Sequence, residues 1–99
     1  MNKIQEETFI RLHTVVHGKV QGVGFRFFIQ KNARALFLTG WVRNTRQGNV
    51  EVVAEGPQYI LDRLLMFLKD GPRSAKVTSL ETNWEDPTKE YSDFKIRSL

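Results

Sequence analysis

The chain contains no cysteine among its 99 residues. That excludes disulfides, thiolate metal ligands and a cysteine nucleophile, and it fits a reducing intracellular compartment. No apolar run reaches the roughly 18 residues a membrane helix requires, and the opening Met-Asn-Lys-Ile-Gln-Glu-Glu-Thr lacks the apolar core of a secretion signal. The expectation is a cytoplasmic protein without a membrane partner. Acidic residues are the minority, 11 against 15 Lys plus Arg for a formal charge of +4, a balance that favours anionic ligands. The basic residues form no block, however: Lys3, Arg11, Lys19, Arg34, Arg63 and Lys89 are scattered, so charge alone does not point to nucleic acid. With 40% hydrophobic residues, the chain has material for one two-layer core and therefore one site.

What is present is organised around Val16 to Arg26, Val-His-Gly-Lys-Val-Gln-Gly-Val-Gly-Phe-Arg. It follows an alternating run, with Ile10, Leu12, Thr14 and Val16 on one face and Arg11, His13 and His17 on the other, which predicts a half-buried strand. It leads into Phe25, Phe28, Ile29, Ala33 and Leu36 at helical spacing. Gly18, Gly22 and Gly24 thus fall where strand turns into helix, and there they allow left-handed backbone or close approach of a ligand. The N–H groups of Val23 to Arg26 stand at the positive end of the helix dipole, a setting for phosphate, sulfate or carboxylate. Arg26 adds a planar, permanently charged fork. Two familiar phosphate loops do not fit. Position 27 is Phe where a dinucleotide-binding fingerprint needs its third glycine, and Val23-Gly24 stands where a Walker loop needs Gly-Lys. Without Arg26, the glycines would read as a plain turn.

The rest of the chain completes a simple pattern. Thr39 to Asn44 and Val50 to Gly56 read as strands joined by the hairpin turn Thr45-Arg46-Gln47-Gly48, which brings Asn44 to its mouth. Pro57 marks the first turn of a second helix with Ile60, Leu61, Leu64, Leu65 and Leu68 as its apolar stripe, stopped by Gly71-Pro72. Ala75 to Trp84 is a fourth strand, Glu85 to Ser92 a polar connection, and Phe94 and Ile96 mark a short fifth strand. The expected fold is α+β, a ferredoxin-like βαββαβ two-layer sandwich with an extra C-terminal strand, both helices on one face of a mainly antiparallel sheet. Residues 1–8 are expected to be a flexible terminus, and 9–99 a single domain. His13 and His17 lie on the outer face without metal-ligand spacing, which predicts a surface role.

A second motif, Gly40-Trp41-Val42-Arg43-Asn44 followed by Gly48, Val50 and Gly56, joins Val16-x-Gly18-x-Val20-Gln21-Gly22-Val23-x-Phe25-Arg26. Together they closely resemble the acylphosphatase family, and the likeness continues through Gly71-Pro72-x-x-Ala75-x-Val77 and Phe94-x-Ile96-Arg97. The resemblance implies a βαββαβ sandwich and a hydrolase that cleaves the carboxyl-phosphate bond of small acyl phosphates without metal or other cofactor, as a monomer. It also implies that the loop Gln21, Gly22, Val23, Gly24, Phe25 and Arg26 binds the phosphoryl group, that Arg26 is catalytic, and that Asn44 positions the attacking water. The chemistry agrees: a carboxylate leaving group, with a conjugate-acid pKa of about 4, departs without a general acid, and neither motif contains one. Two departures from the family stand out. Phe37 occupies the end of the first helix where glycine is common, a site at which left-handed backbone costs a bulky residue about 1–2 kcal/mol. Gly24 fills a position the family varies, predicting a more pliant loop. Trp41 and Phe25 are expected in the core, and Arg43 as a strand-edge charge.

The rival reading is a ferredoxin-like RNA- or anion-binding module without catalysis, since Gly22 to Phe28 superficially resembles the glycine-aromatic run of RNA-recognition motifs. Those aromatics alternate on a strand, whereas Phe25 and Phe28 are three apart at a helix start and are expected to face the core. Specific nucleic-acid binding is therefore not expected.

Overall fold

A computed structural model describes residues 8–99 as β1 (Phe9–Lys19), α1 (Phe25–Ala35), β2 (Thr39–Asn44), β3 (Val50–Pro57), α2 (Gln58–Asp70), β4 (Lys76–Glu85) and β5 (Phe94–Arg97). The strands form one sheet in the order β4-β1-β3-β2-β5. β1 is antiparallel to both β3 and β4, and β2 is antiparallel to β3. β5 lies parallel to β2 at the far edge, Gly40 opposite Phe94 and Val42 opposite Ile96. This is the ferredoxin-like α+β sandwich that the patterning predicts. The flexible terminus expected over residues 1–8 lies outside the described residues apart from Thr8, whose carbonyl accepts the Gln58 N–H at 2.8 Å.

One face of the sheet packs against the helices because the strands alternate. Leu12, Val16, Val42, Val50, Val52 and Ala54 point inward and are fully buried, as are Ile29 and Ala33 of α1 and Leu61, Leu64 and Leu68 of α2. Each large apolar side chain taken from water contributes about 1.5–3 kcal/mol. Phe25 belongs to this core, and Phe28 packs edge-on to Phe67 with ring centroids 6.1 Å apart, as the helical spacing predicts.

The ends of the elements differ slightly from the sequence expectation. β1 runs on to Lys19 through a bulge between His17 and Gly18. At φ 127°, a Cβ on Gly18 would lie 2.1 Å from the Lys76 carbonyl oxygen. Pro57 is not in the first turn of α2 but immediately before it, in extended conformation. α1 ends with Leu38 N–H donating to Ala33 O at 2.9 Å and Phe37 N–H to Arg34 O at 3.0 Å, the Schellman pattern that demands a left-handed residue. Phe37 supplies it at φ 59° and is 91% exposed as a residue, so the strain foreseen at this position is present.

The sheet face without helices is closed by polar pairing. Glu55, at 1% exposure, receives the N–H groups of Thr88 and Lys89 at 2.8 Å each, the Thr88 hydroxyl at 3.2 Å and Arg11 Nε at 2.9 Å. The polar connection that leads from the β4 edge to the β5 edge is thereby pinned to the central strand. Burial pushes the Glu55 carboxyl up, but the Thr88 and Lys89 amides and Arg11 outweigh it, and the group lies below the ordinary glutamate value. Trp41 donates Nε1–H to the Tyr91 hydroxyl at 3.2 Å, and the guanidiniums of Arg43 and Arg97 stand 5.2 and 4.8 Å from its ring centre.

Candidate active site

The loop between β1 and α1 is built by two left-handed glycines. Gly22 has φ 72° and Gly24 φ 77°, and a Cβ added at either would meet no atom within 4 Å. Backbone conformation, not crowding, therefore selects glycine here. Because Gly24 is itself left-handed, glycine relieves the backbone strain that a side chain would meet at this position. Val20, 1% exposed, anchors the loop to the core. Among the described residues the N–H groups of Gln21, Gly22, Val23 and Gly24 donate to no protein acceptor. α1 begins without a side-chain cap and without an acidic residue in its first turn. A run of unspent donors thus meets an uncapped positive dipole end, which favours an anion.

Arg26 stands in that first turn. Arg11, Arg26 and Arg43 are the half-buried arginines. Arg11 pairs with Glu55 at 2.9 Å and Arg43 with Glu51 at 2.7 Å, whereas Arg26 has no side-chain hydrogen bond or ion pair among the described residues. Partial burial of a charge is costly without a partner, and Arg26 follows the free amides closely in the chain.

Asn44 ends β2, paired with Val50 across the hairpin. Its Oδ1 is buried and accepts no hydrogen bond; unpaired buried acceptors of this kind are uncommon outside functional sites. The hairpin that carries it is bound to the loop by one side chain: Gln21 Nε2 donates to Thr45 O at 2.9 Å and to Asn49 O at 2.8 Å. The loop and Asn44, 18 to 23 positions apart in the chain, are thus brought to the same end of the molecule. A cleft of about 460 Å³ opens on the hairpin side, with Asn44, Thr45, Arg46, Asn49 and Glu51 in its wall. The loop residues do not line it.

Glu51 organises the charge next to Asn44. Its carboxylate takes Arg43 Nε at 2.8 Å on one oxygen and His13 Nε2 at 2.7 Å on the other. Burial raises its pKa, but His13 and Arg43 bring it below the ordinary value, so it is ionised and holds Arg43 on the sheet. His17 meets Glu81 at 2.6 Å. Both histidines are surface groups, as their position in β1 predicts, and no group of three His, Cys, Asp or Glu able to hold a metal occurs among the described residues.

Sequence reasoning points to Arg26, Asn44 and the loop, and the fold brings the loop and the hairpin that carries Asn44 together through Gln21. It does not reach the side-chain role of Gln21, because nothing in the spacing says that its amide crosses to residues 45 and 49. Nor does it reach the grip of Glu51 on Arg43 and His13, although the strand alternation already sets all three on one face.

A two-layer α+β domain that leaves loop amides and a guanidinium without protein acceptors suits a hydrolase or binding protein for phosphoryl groups. Comparison with known proteins decides between them. The family model described as Acylphosphatase matches residues 12–96. An acylphosphatase of Thermus thermophilus is 51% identical over 75% of this chain and 84% of its own length, and one of Pelotomaculum thermopropionicum is 45% identical over 87% and 94%. The crystal structure of acylphosphatase from Bacillus subtilis superposes with a TM-score of 0.86 at 36% identity, covering 89% of this chain and 98% of that one. The chain belongs to the acylphosphatase family. It is an enzyme that hydrolyses the carboxyl-phosphate bond of acyl phosphates.

Proposed function

We propose that the amides of Gln21 to Arg26 and the Arg26 guanidinium hold the phosphoryl group while Asn44 positions the water that attacks it. The observation that carries this reading is the half-buried, unpaired Arg26 beside an uncapped helix start. In a loose, metaphosphate-like transition state the charge lies on the phosphoryl oxygens, and amides with a guanidinium stabilise it there. Water must be held in line with the departing oxygen. A neutral amide does this without repelling the phosphate, and the side chain of Asn44 has no competing bond. The acyl carboxylate leaves without a proton donor.

The reaction on this reading uses no metal and no cofactor, and phosphate monoesters are poor substrates because their alkoxide leaving groups need an acid. Loop and hairpin belong to one chain, which supports a monomer as the acting unit, and we place it in the cytoplasm. The substrate is a small acyl phosphate, with no specific nucleic acid. The test is the variant Asn44→Ala assayed on an aromatic acyl phosphate with chelator present. Turnover is expected to collapse on the order of a hundredfold while the inhibition constant of inorganic phosphate stays near the parent value. Lost phosphate affinity with retained turnover would move Asn44 into the anion site. Dependence of the parent enzyme on a divalent ion would overturn the metal-free mechanism.

A further inference from the structure

The phosphoryl cradle and the proposed water-positioning group sit on separate segments, and the rate depends on the distance between them. A misplacement of about 1 Å can cost a hundredfold. Asn44 has no polar tether of its own, since its side chain makes no hydrogen bond among the described residues. Its place is set by the hairpin neck. There Thr45 N–H donates to Asn49 O at 2.9 Å, and Asn49 N–H donates to Thr45 Oγ1 at 3.1 Å. These bonds close the neck but do not say where it lies relative to the loop.

The geometry points to the Gln21 side chain as the positioning device for Asn44. Its amide nitrogen sends one proton to Thr45 O, next to Asn44, and the other to Asn49 O, next to the Asn44 partner Val50. No other hydrogen bond among the described residues joins the loop, residues 20–26, to the hairpin, residues 44–50. Two carbonyl acceptors admit only the NH₂ end of the amide, so its orientation is determined by the network. Gln21 therefore has two separate tasks, a backbone N–H in the phosphate cradle and a side chain that sets the gap between phosphorus and water. A glutamate at this position would face both carbonyls with a charged acceptor and no donor, and an asparagine would be one methylene short.

This inference rests on the proposed role of Asn44, and a double-mutant cycle separates the two. Gln21→Ala, Asn44→Ala and the double variant are assayed for kcat on an aromatic acyl phosphate and for inhibition by inorganic phosphate, with Gln21→Met, which keeps length without donors, replacing Gln21→Ala should that variant fail to fold. Gln21→Ala is expected to lower kcat about tenfold or more with phosphate inhibition within about twofold of the parent, because the cradle amides are main-chain groups. In the Asn44→Ala background the same change should alter kcat less than about twofold, since there is no longer a water holder to place. Gln21→Glu should be no better than Gln21→Ala. A Gln21 effect of equal size in both backgrounds, a parallel loss of phosphate affinity, or an unchanged kcat would each overturn the positioning role. If Asn44→Ala itself retains turnover, the reading of Asn44 fails instead.

Discussion

The two ends of β1 use the same chemistry with opposite outcomes. Near its start, Arg11 and the N–H groups of Thr88 and Lys89 converge on the Glu55 carboxylate. Past its other end, about 26 Å further on by strand rise, Arg26 and the loop amides meet no protein group among the described residues. Guanidinium plus main-chain N–H is an anion receptor in both places. Where the chain supplies the anion, the receptor becomes a clasp holding the connection between β4 and β5 to the central strand. Where it does not, the receptor stays open, which supports the phosphoryl site proposed for it. Donor geometry alone does not single out a candidate site; the missing internal acceptor does.

Breaking each receptor should therefore have a different signature. The largest effect is expected from Glu55→Ala, which leaves Arg11 and two amides without their acceptor and should cost about 3–5 kcal/mol of unfolding free energy while kcat of the folded protein stays within about twofold. Denaturant unfolding with parallel kinetics measures both, and a catalytic loss larger than the stability loss would contradict the division of labour. Arg26→Ala should do the reverse. A kcat loss on the order of a hundredfold, about 2.7 kcal/mol of transition-state stabilisation, is expected together with weaker phosphate inhibition and nearly unchanged stability. If this variant instead unfolds readily and still turns over, Arg26 belongs to the fold.

The clasp also predicts a pH dependence with a definite sign. The folded pKa of Glu55 is depressed, as is that of Glu51. Their contribution to stability is therefore fully present above the ordinary glutamate value of 4.5 and is lost as pH falls through the depressed folded values. Acid unfolding of the parent should be steeper below that value than that of Glu55→Ala, which lacks one of the two groups. Equal acid limbs in the two proteins would show that the Glu55 shift is not what protects the fold. The smallest expected change is a gain: Phe37→Gly removes a left-handed bulky residue that is 91% exposed, and should stabilise by about 1 kcal/mol without altering kcat. Thermal unfolding checks it, and a loss of stability would mean the exposed ring makes contacts that offset its backbone strain.

What the sequence by itself determined was everything that depends on neighbours along the chain. The period-two run from Ile10 to Val16 and the helical spacing from Phe25 to Leu36 and from Ile60 to Leu68 encode which face is buried. Glycines at 22 and 24 encode a backbone few other residues adopt, and Arg26 after them marks the anion end of a helix. Even the awkward Phe37 was visible, because a helix that ends there needs a left-handed residue whatever its side chain. Contacts between distant segments were decided only by tertiary structure. That Glu55 is a buried clasp and Glu51 a partly buried tether could not be read from two glutamates on the same face of one strand; it follows from where the β4–β5 connection crosses the sheet. That Gln21 grips Thr45 and Asn49 follows from β1 and β2 being parallel partners on either side of β3, which sets the loop after one beside the turn after the other. Local pattern selects conformation and burial, but a hydrogen bond needs two groups within about 3 Å, and for residues far apart in sequence only strand order and register bring them that close.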